Sequence, residues 1–266
     1  MKALAALLLF AAPVGLLLLA ASAAAAPQRV ASLNLCSDEL ALRLAAPGQL
    51  ISVSRLGADP NESTLADRAK GLATNTGRVT DIITLAPDLV LTSRGDPSAA
   101  AVAQRLGIAT VELSEPQTLA DVRANIRRVA VALGRRAAGE ALVTEMDAAL
   151  VPTARLRPAL MVSGGGLTIA PDGLAAHWLA FAGLAQQRVP RGQLNLEQLL
   201  ANPPQILLLT RYRSQQVSTN QRWLQHPAFA ALPASTRRIT TDGRAWTCLG
   251  PGLAREIARL RAVVGQ

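Results

Sequence analysis

The chain has 266 residues, half of them hydrophobic, with 27 basic against 18 acidic side chains and a formal net charge of +9. That length and hydrophobic content suit one large or two medium domains with real cores and exclude a disordered or fibrous class. The basic surplus is almost all arginine, scattered singly or in pairs. Only three phenylalanines and one tyrosine, with three tryptophans, accompany it, 3% of the chain, so the stacking platforms of a nucleic-acid binder are sparse and no nucleic-acid partner is expected.

Residues 1–26 read as a cleavable secretory signal. Lys2 is the only charge before Arg29, and an apolar run rich in leucine and alanine ends in the small residues Ala21 to Ala26. An uncleaved anchor is the competing reading, since the run exceeds the roughly 18 residues that span a bilayer. It ends without a basic stop-transfer cluster, which favours cleavage.

Arg29 to Leu33 then reads as a strand, and Ser37-Asp38-Glu39 opens a helix. Leu50–Ser54 and Asp88–Thr92 are further strands, Ala99–Leu106 is helical, and Ile108–Leu113 is a fourth strand after the Gly107 stop. Alternating β and α signals of this kind predict a mainly parallel sheet with helices on its faces. From Leu119 to Leu150 only helical periodicity remains, with Val122, Ile126, Val129 and Leu133 on one stripe and Ala138, Leu142, Met146 and Leu150 on the next, either side of Gly134. A second α/β unit follows, with a strand at Ala159–Ser163, a glycine turn at Gly164–Gly166, helix over Ala175–Leu184, a helix near Trp223, a strand at Arg238–Thr240 and a terminal helix over Leu253–Val264.

One phrase occurs twice. Thr80–Arg94 and Leu196–Arg211 each carry an acidic residue on a short helix, a proline stop, and an apolar run that suits a buried strand. The fold class expected is therefore α/β, with two similar lobes of mainly parallel sheet joined by a long α-helical linker. The boundaries are 1–26 for the signal, 27–118 for the N-terminal lobe, 119–157 for the linker and 158–266 for the C-terminal lobe. A duplicated chain of this kind places a cleft between its lobes, where ligands sit.

Catalysis lacks support. There is no Gly-x-Ser-x-Gly elbow, no His-Glu-x-x-His pair and no Cys-x-x-Cys, and only His177 and His226 are available as imidazoles. Gly164–Gly166 lacks the spacing of a phosphate-binding fingerprint. No enzyme activity and no cofactor are expected, and a secreted hydrolase stands as the alternative of a different class. Trp178 and Trp223, at helical spacing among apolar residues, read as packing.

The segments Val30–Asp38, Ala86–Leu91, Arg105–Ile108, His226–Pro233 and Trp246–Pro251 together resemble the periplasmic substrate-binding proteins of ABC importers for ferric siderophores and vitamin B12. The resemblance spans the mature chain in the right order. It implies two α/β lobes bridged by one long helix, a periplasmic monomer, a small-molecule metal chelate as ligand and an inner-membrane ABC permease as partner. Carried onto this sequence, the cleft is expected to be lined by Asn34, Cys36, Arg55, Arg78, Arg94, Arg191, Arg211, Tyr212, Arg244, Trp246 and Cys248, with no metal bound directly by the protein. Arginine forks suit carboxylates, catecholates and phosphates, so a ferric siderophore is expected, with cobalamin or haem as the alternative. The resemblance also makes Asp81 and Glu197 docking residues for the permease, and puts Cys36 and Cys248 at the cleft, one on each lobe. These are the only two cysteines; in an oxidising compartment they either pair as a disulfide or grip a ligand as thiolates.

Overall fold

A computed structural model describes residues 26–93, 97–212 and 219–265. Arg94 and residues 1–25, which hold nearly all of the expected signal, lie outside the described residues. The N-terminal lobe contains β1 (Val30–Ser32), α1 (Leu35–Leu44), β2 (Leu50–Ser54), α2 (Arg55–Ala58), β3 (Ala73–Asn75), β4 (Leu89–Ser93), α3 (Pro97–Arg105) and β5 (Ala109–Leu113). Two helices follow, α4 (Leu119–Ala132) and α5 (Arg136–Ala148). The C-terminal lobe contains β6 (Arg157–Val162), α6 (Leu174–Phe181), β7 (Leu184–Gln186), α7 (Leu196–Ala201), β8 (Ile206–Arg211), α8 (Thr219–Leu224), β9 (Arg237–Asp242), α9 (Gly243–Trp246) and α10 (Leu253–Val264).

Each lobe holds one parallel sheet, ordered β3-β2-β1-β4-β5 in the first and β7-β6-β8-β9 in the second. From β2 onward the two orders are the same, and the N-terminal lobe adds β3 at its edge. Central strands of such sheets are covered on both faces, so they lack polar alternation. In β8, Ile206 and Leu208 join the core that runs through both lobes and the linker, while Leu207 and Leu209 join a second cluster with Phe229 and Leu232. Trp178 is fully buried, and Trp223 packs edge-on against Phe229 with ring centroids 5.2 Å apart.

The linker is helical, but it is not the single long helix that the resemblance implied. Gly134, with φ at +69°, ends α4 in a left-handed turn, and α5 folds back along it. At the crossing, a Cβ on Gly139 would stand 2.4 Å from the Ala130 Cβ, so only glycine permits this approach. Buried Val122, Ile126 and Val129 on α4 share the main core with Leu142, Val143 and Met146 on α5. The ion pairs Arg123–Asp147 and Arg127–Glu140, both 2.9 Å, sit on the solvent side of the hairpin and add less than about 1 kcal/mol each.

The repeated phrase does not fold identically in its two copies. In the first, the acidic residue lies in a 3₁₀ turn, Val79–Asp81, followed by another at Ile83–Leu85; in the second, a six-residue α-helix, α7, carries Glu197.

Candidate functional site

The carboxyl ends of the strands in both sheets carry the residues that join the lobes. After β1, Asn34 caps α1: its side-chain carbonyl accepts from the Ser37 N–H at 3.0 Å, and the Ser37 hydroxyl accepts from the Asn34 N–H at 3.4 Å. This reciprocal cap fixes where α1 begins and sets Cys36 in its first turn. Cys248, just past α9 in the other lobe, is bonded to it; the Cα atoms are 5.3 Å apart and 212 residues separate the pair. One turn along α1, Glu39 accepts a 2.6 Å hydrogen bond from the Gly252 N–H at the start of α10. Cβ atoms at Gly250 and Gly252 would stand 2.9 and 2.4 Å from the Glu39 carboxylate oxygens, so glycine at both positions is what lets the carboxylate in.

Two further contacts cross between the lobes. Arg244 pairs with Asp242 through Nε and Nη2 and donates from Nη1 to the Pro60 carbonyl at 2.6 Å. The Tyr212 hydroxyl donates to the carboxylate of Glu62, which is itself buried. Beside the disulfide lies a cavity of about 300 Å³, walled by Cys36, Glu39, Ser93, Ser114, Asn125 and Cys248 among others.

Charge at this seam is tuned by burial. Asp38 is 0% exposed; its Oδ1 accepts from the Ser54 N–H at 3.1 Å and its Oδ2 from the Ser54 hydroxyl at 2.5 Å. Desolvation outweighs these hydrogen bonds and pushes its pKa up to about 7. A Cβ on Gly57 would come within 2.4 Å of Oδ2, so the backbone closes over the carboxyl. Burial likewise raises Glu39 above the usual carboxylate range, opposed by the Arg43 charge and the Gly252 N–H. Burial pushes Asp242 upward too, but the hydrogen bonds and charge of Arg244 win and hold it below its ordinary value.

Of the residues expected at the cleft, the seam gathers Asn34, Cys36, Tyr212, Arg244 and Cys248. Arg55 opens α2 and Arg211 ends β8, both exposed at strand carboxyl ends. Arg191 is exposed with φ at +60°, in the turn after β7. Arg78 lines a separate cavity of about 220 Å³ with Ser98 and Val102. Trp246 is a correction: it turns inward, is 8% exposed, and donates its indole N–H to the Thr241 hydroxyl at 2.8 Å. Packing against the main core wins over exposure in a loop, so its ring does not line the cleft. Glu39, Pro60 and Glu62 were not singled out in the sequence. Glu39 was the one within reach, since it follows Cys36 by three residues and a helix brings such positions to one face.

Asp81 and Glu197 are both exposed. The Asp81 carboxylate accepts from the Thr76 hydroxyl at 2.6 Å and its N–H at 2.8 Å, which holds it below the usual range. Asp81 stands eight residues before the start of β4 and Glu197 nine before the start of β8, so the acids are offset by one position. The apolar residues between match without offset: Ile82 and Leu199 are fully buried, while Ile83 and Leu200 are 43% and 41% exposed.

The family model for periplasmic binding proteins matches residues 30–244. The periplasmic haem-binding protein BhuT, solved with two haems, is 25% identical at a TM-score of 0.66, covering 88% of this chain and 96% of its own. The siderophore-binding protein BauB, solved with two acinetobactin molecules and ferric iron, is 17% identical at a TM-score of 0.66, covering 90% of this chain and 94% of its own. The periplasmic vitamin B12-binding protein BtuF of Vibrio cholerae is 16% identical at a TM-score of 0.58, covering 90% of this chain and 97% of its own. No curated protein matches the chain.

Proposed function

The chain belongs to the periplasmic binding protein family, whose members bind small molecules and work with ABC permeases rather than catalyse reactions; from that premise we propose that it captures a ferric siderophore between its lobes and delivers it to an inner-membrane permease. Residues 1–26 are removed on export, and the mature chain acts as a periplasmic monomer. The observation that carries the ligand class is the set of guanidiniums at strand carboxyl ends in both lobes. Arg55 in one lobe and Arg191 and Arg211 in the other are exposed there, at the place where open α/β sheets bind ligands. Forked donors suit the anionic oxygens of a ferric chelate better than the neutral face of a corrin. Haem is the second reading, favoured by the 25% identity to a haem-binding protein.

Titrating ferric siderophores, haemin and cobalamin into the mature chain, with melting temperature and ligand absorbance as readouts, tests the class. A saturable response to at least one ferric siderophore, without chemical change of the ligand, is expected. A response to haemin alone moves the assignment to the second reading, and silence across all three classes removes metal chelates as the ligand.

The permease meets both lobes through Asp81 and Glu197, flanked by the exposed, equivalently placed Ile83 and Leu200. A pseudo-symmetric pair of acidic and apolar groups, one pair per lobe, suits a partner with two equal halves, and paired interface charges can each matter by about 1.5 kcal/mol or more. The double variant Asp81→Lys with Glu197→Lys is expected to keep ligand affinity within about twofold and to abolish uptake. Asp81→Lys also forfeits the Thr76 hydrogen bonds, about 1 kcal/mol, so the melting temperature is measured alongside. Normal uptake by a folded double variant would leave the two acids with only their local roles.

A further inference from the structure

Between the N-terminal lobe, α5 and α10 lies a cavity of about 660 Å³. Its charges do not cancel. Three wall carboxylates already hold their own cations: Asp67 with Lys70 at 2.7 Å, Asp242 with Arg244 at 2.6 Å and Glu256 with Arg259 at 2.6 Å. Among the described residues, Arg68 on the N-terminal lobe and Arg255 on the C-terminal lobe have no carboxylate within ion-pair distance. Among those same residues, the one wall carboxylate without a cation is Glu145 on α5. Arg68 makes one long bond, from Nη1 to the Leu42 carbonyl at 3.4 Å. In the same wall, Arg43 is already paired: its Nε, shut off from solvent, lies 3.5 Å from the Glu39 carboxylate.

We infer that this cavity is a second binding site, sharing only Arg244 with the residues expected at the cleft, for a small multivalent oxyanion bearing carboxylate or phosphate groups, held between Arg68 and Arg255. The volume lies in the range of small-molecule sites. Guanidiniums from opposite lobes are the geometry a two-headed anion satisfies, because each fork takes one anionic group. Leu65, Leu142 and Met146 supply apolar wall for the body between the heads. Since the walls come from both lobes and the linker, an anion bound here binds this lobe arrangement and no other, and thereby stabilises it by mass action.

The test uses the full mature chain and two metal-free probes, citrate and inorganic phosphate, with sodium chloride holding ionic strength constant. A saturable rise in melting temperature with at least one probe is expected, confirmed by calorimetric titration. The double variant Arg68→Gln with Arg255→Gln should bind that probe at least tenfold more weakly while keeping its own melting temperature in the absence of probe. Arg105→Gln, which changes an exposed arginine outside the cavity, should bind like the unmodified chain. Saturation by citrate alone assigns a polycarboxylate; saturation by phosphate alone assigns a phosphorylated compound. No saturable response above the chloride control overturns the site, and so does equal binding by Arg68→Gln with Arg255→Gln. Neither probe carries a metal chelate, so failure here is separable from failure of the cleft assignment.

Discussion

Replacing both cysteines, Cys36→Ser with Cys248→Ser, is expected to lower the stability of the oxidised protein by about 5 kcal/mol. The bond closes a loop of 212 residues, and in the chain-entropy model a loop of that size restricts the unfolded chain by about this amount. At about 2–4 °C per kcal/mol for a chain of this size, the midpoint falls by roughly 10–20 °C. The loss has a second, structural consequence, because Cys36 and Cys248 belong to different lobes. Without the bond, the lobes are held by the Glu39 carboxylate on the Gly252 N–H, by Arg244 on the Pro60 carbonyl and by Tyr212 on Glu62, together with the continuous core. These polar links contribute about 1–3 kcal/mol each at most, less than the covalent one. Denaturant unfolding of the oxidised chain, the reduced chain and the double serine variant decides the matter. The last two are expected to coincide well below the first, and X-ray scattering should show a larger radius for them if the bond restrains lobe opening. Coincidence of all three unfolding curves would mean that the disulfide does not stabilise the fold.

Asp38→Asn is expected to remove much of the protein's pH dependence and to stabilise it at neutral pH. The carboxyl sits at about 7 in the folded chain against an ordinary 3.8, so between pH 4 and 7 the folded state keeps a proton that the unfolded state has released. Its contribution to stability is fully present below the unfolded value and is lost as pH rises through the folded one. Each pH unit in that window costs about 1.4 kcal/mol, on the order of 4 kcal/mol across the whole range. Asparagine has the same shape. Its carbonyl can accept from the Ser54 N–H, and its amide can donate to the Ser54 hydroxyl oxygen, reversing the bond that Oδ2 accepts in the unmodified chain. The neutral variant should therefore be the more stable one above pH 7 and close to the unmodified chain near pH 4. Glu39 shifts in the same direction, so a shallower fall with pH remains in the variant. Parallel stability profiles from pH 4 to 8 for the two proteins would mean that Asp38 titrates as an ordinary carboxylate.

Both effects arise at α1, whose first two turns carry Cys36, Asp38 and Glu39. Cys36 and Glu39 face the other lobe, while Asp38 faces Ser54 and Gly57 in its own. A single capping box at Asn34 sets the phase of all three, so a shift in where α1 begins would disturb the disulfide, the buried carboxyl and the inter-lobe contact together. The strand carboxyl ends thus do two things in this chain. Some residues fasten the lobes, and others, Arg55 and Arg211 among them, stay exposed.

The sequence by itself determined the elements long enough to show their period and the duplication that orders them. The apolar runs of β4 and β8, the helical stripes over residues 119–150 and the shared proline stops were enough to announce two parallel α/β units and a helical linker. Two edge strands, β3 and β7, were not legible. Each has three residues, as fully buried β1 does, but each carries an exposed or half-buried position and ends in an amide, so no buried apolar run marks it, and each is a strand because β2 or β6 offers it an edge to pair with. Periodicity marked the break at Gly134 but carried no direction, so the return of α5 along α4 was decided by the left-handed turn and by the close approach that Gly139 allows. The positions of Asp81 and Glu197 read as near equivalents; only the strand starts revealed the offset of one residue and the true match of Ile83 with Leu200. The inter-lobe contacts depended most on tertiary structure. Glu39 and Gly252, Pro60 and Arg244, and Glu62 and Tyr212 lie 150 residues or more apart in sequence, where no local pattern links them. Burial of Asp38 and the inward turn of Trp246 were settled the same way, because a side chain's environment is set by what docks against it, and docking belongs to the folded chain as a whole.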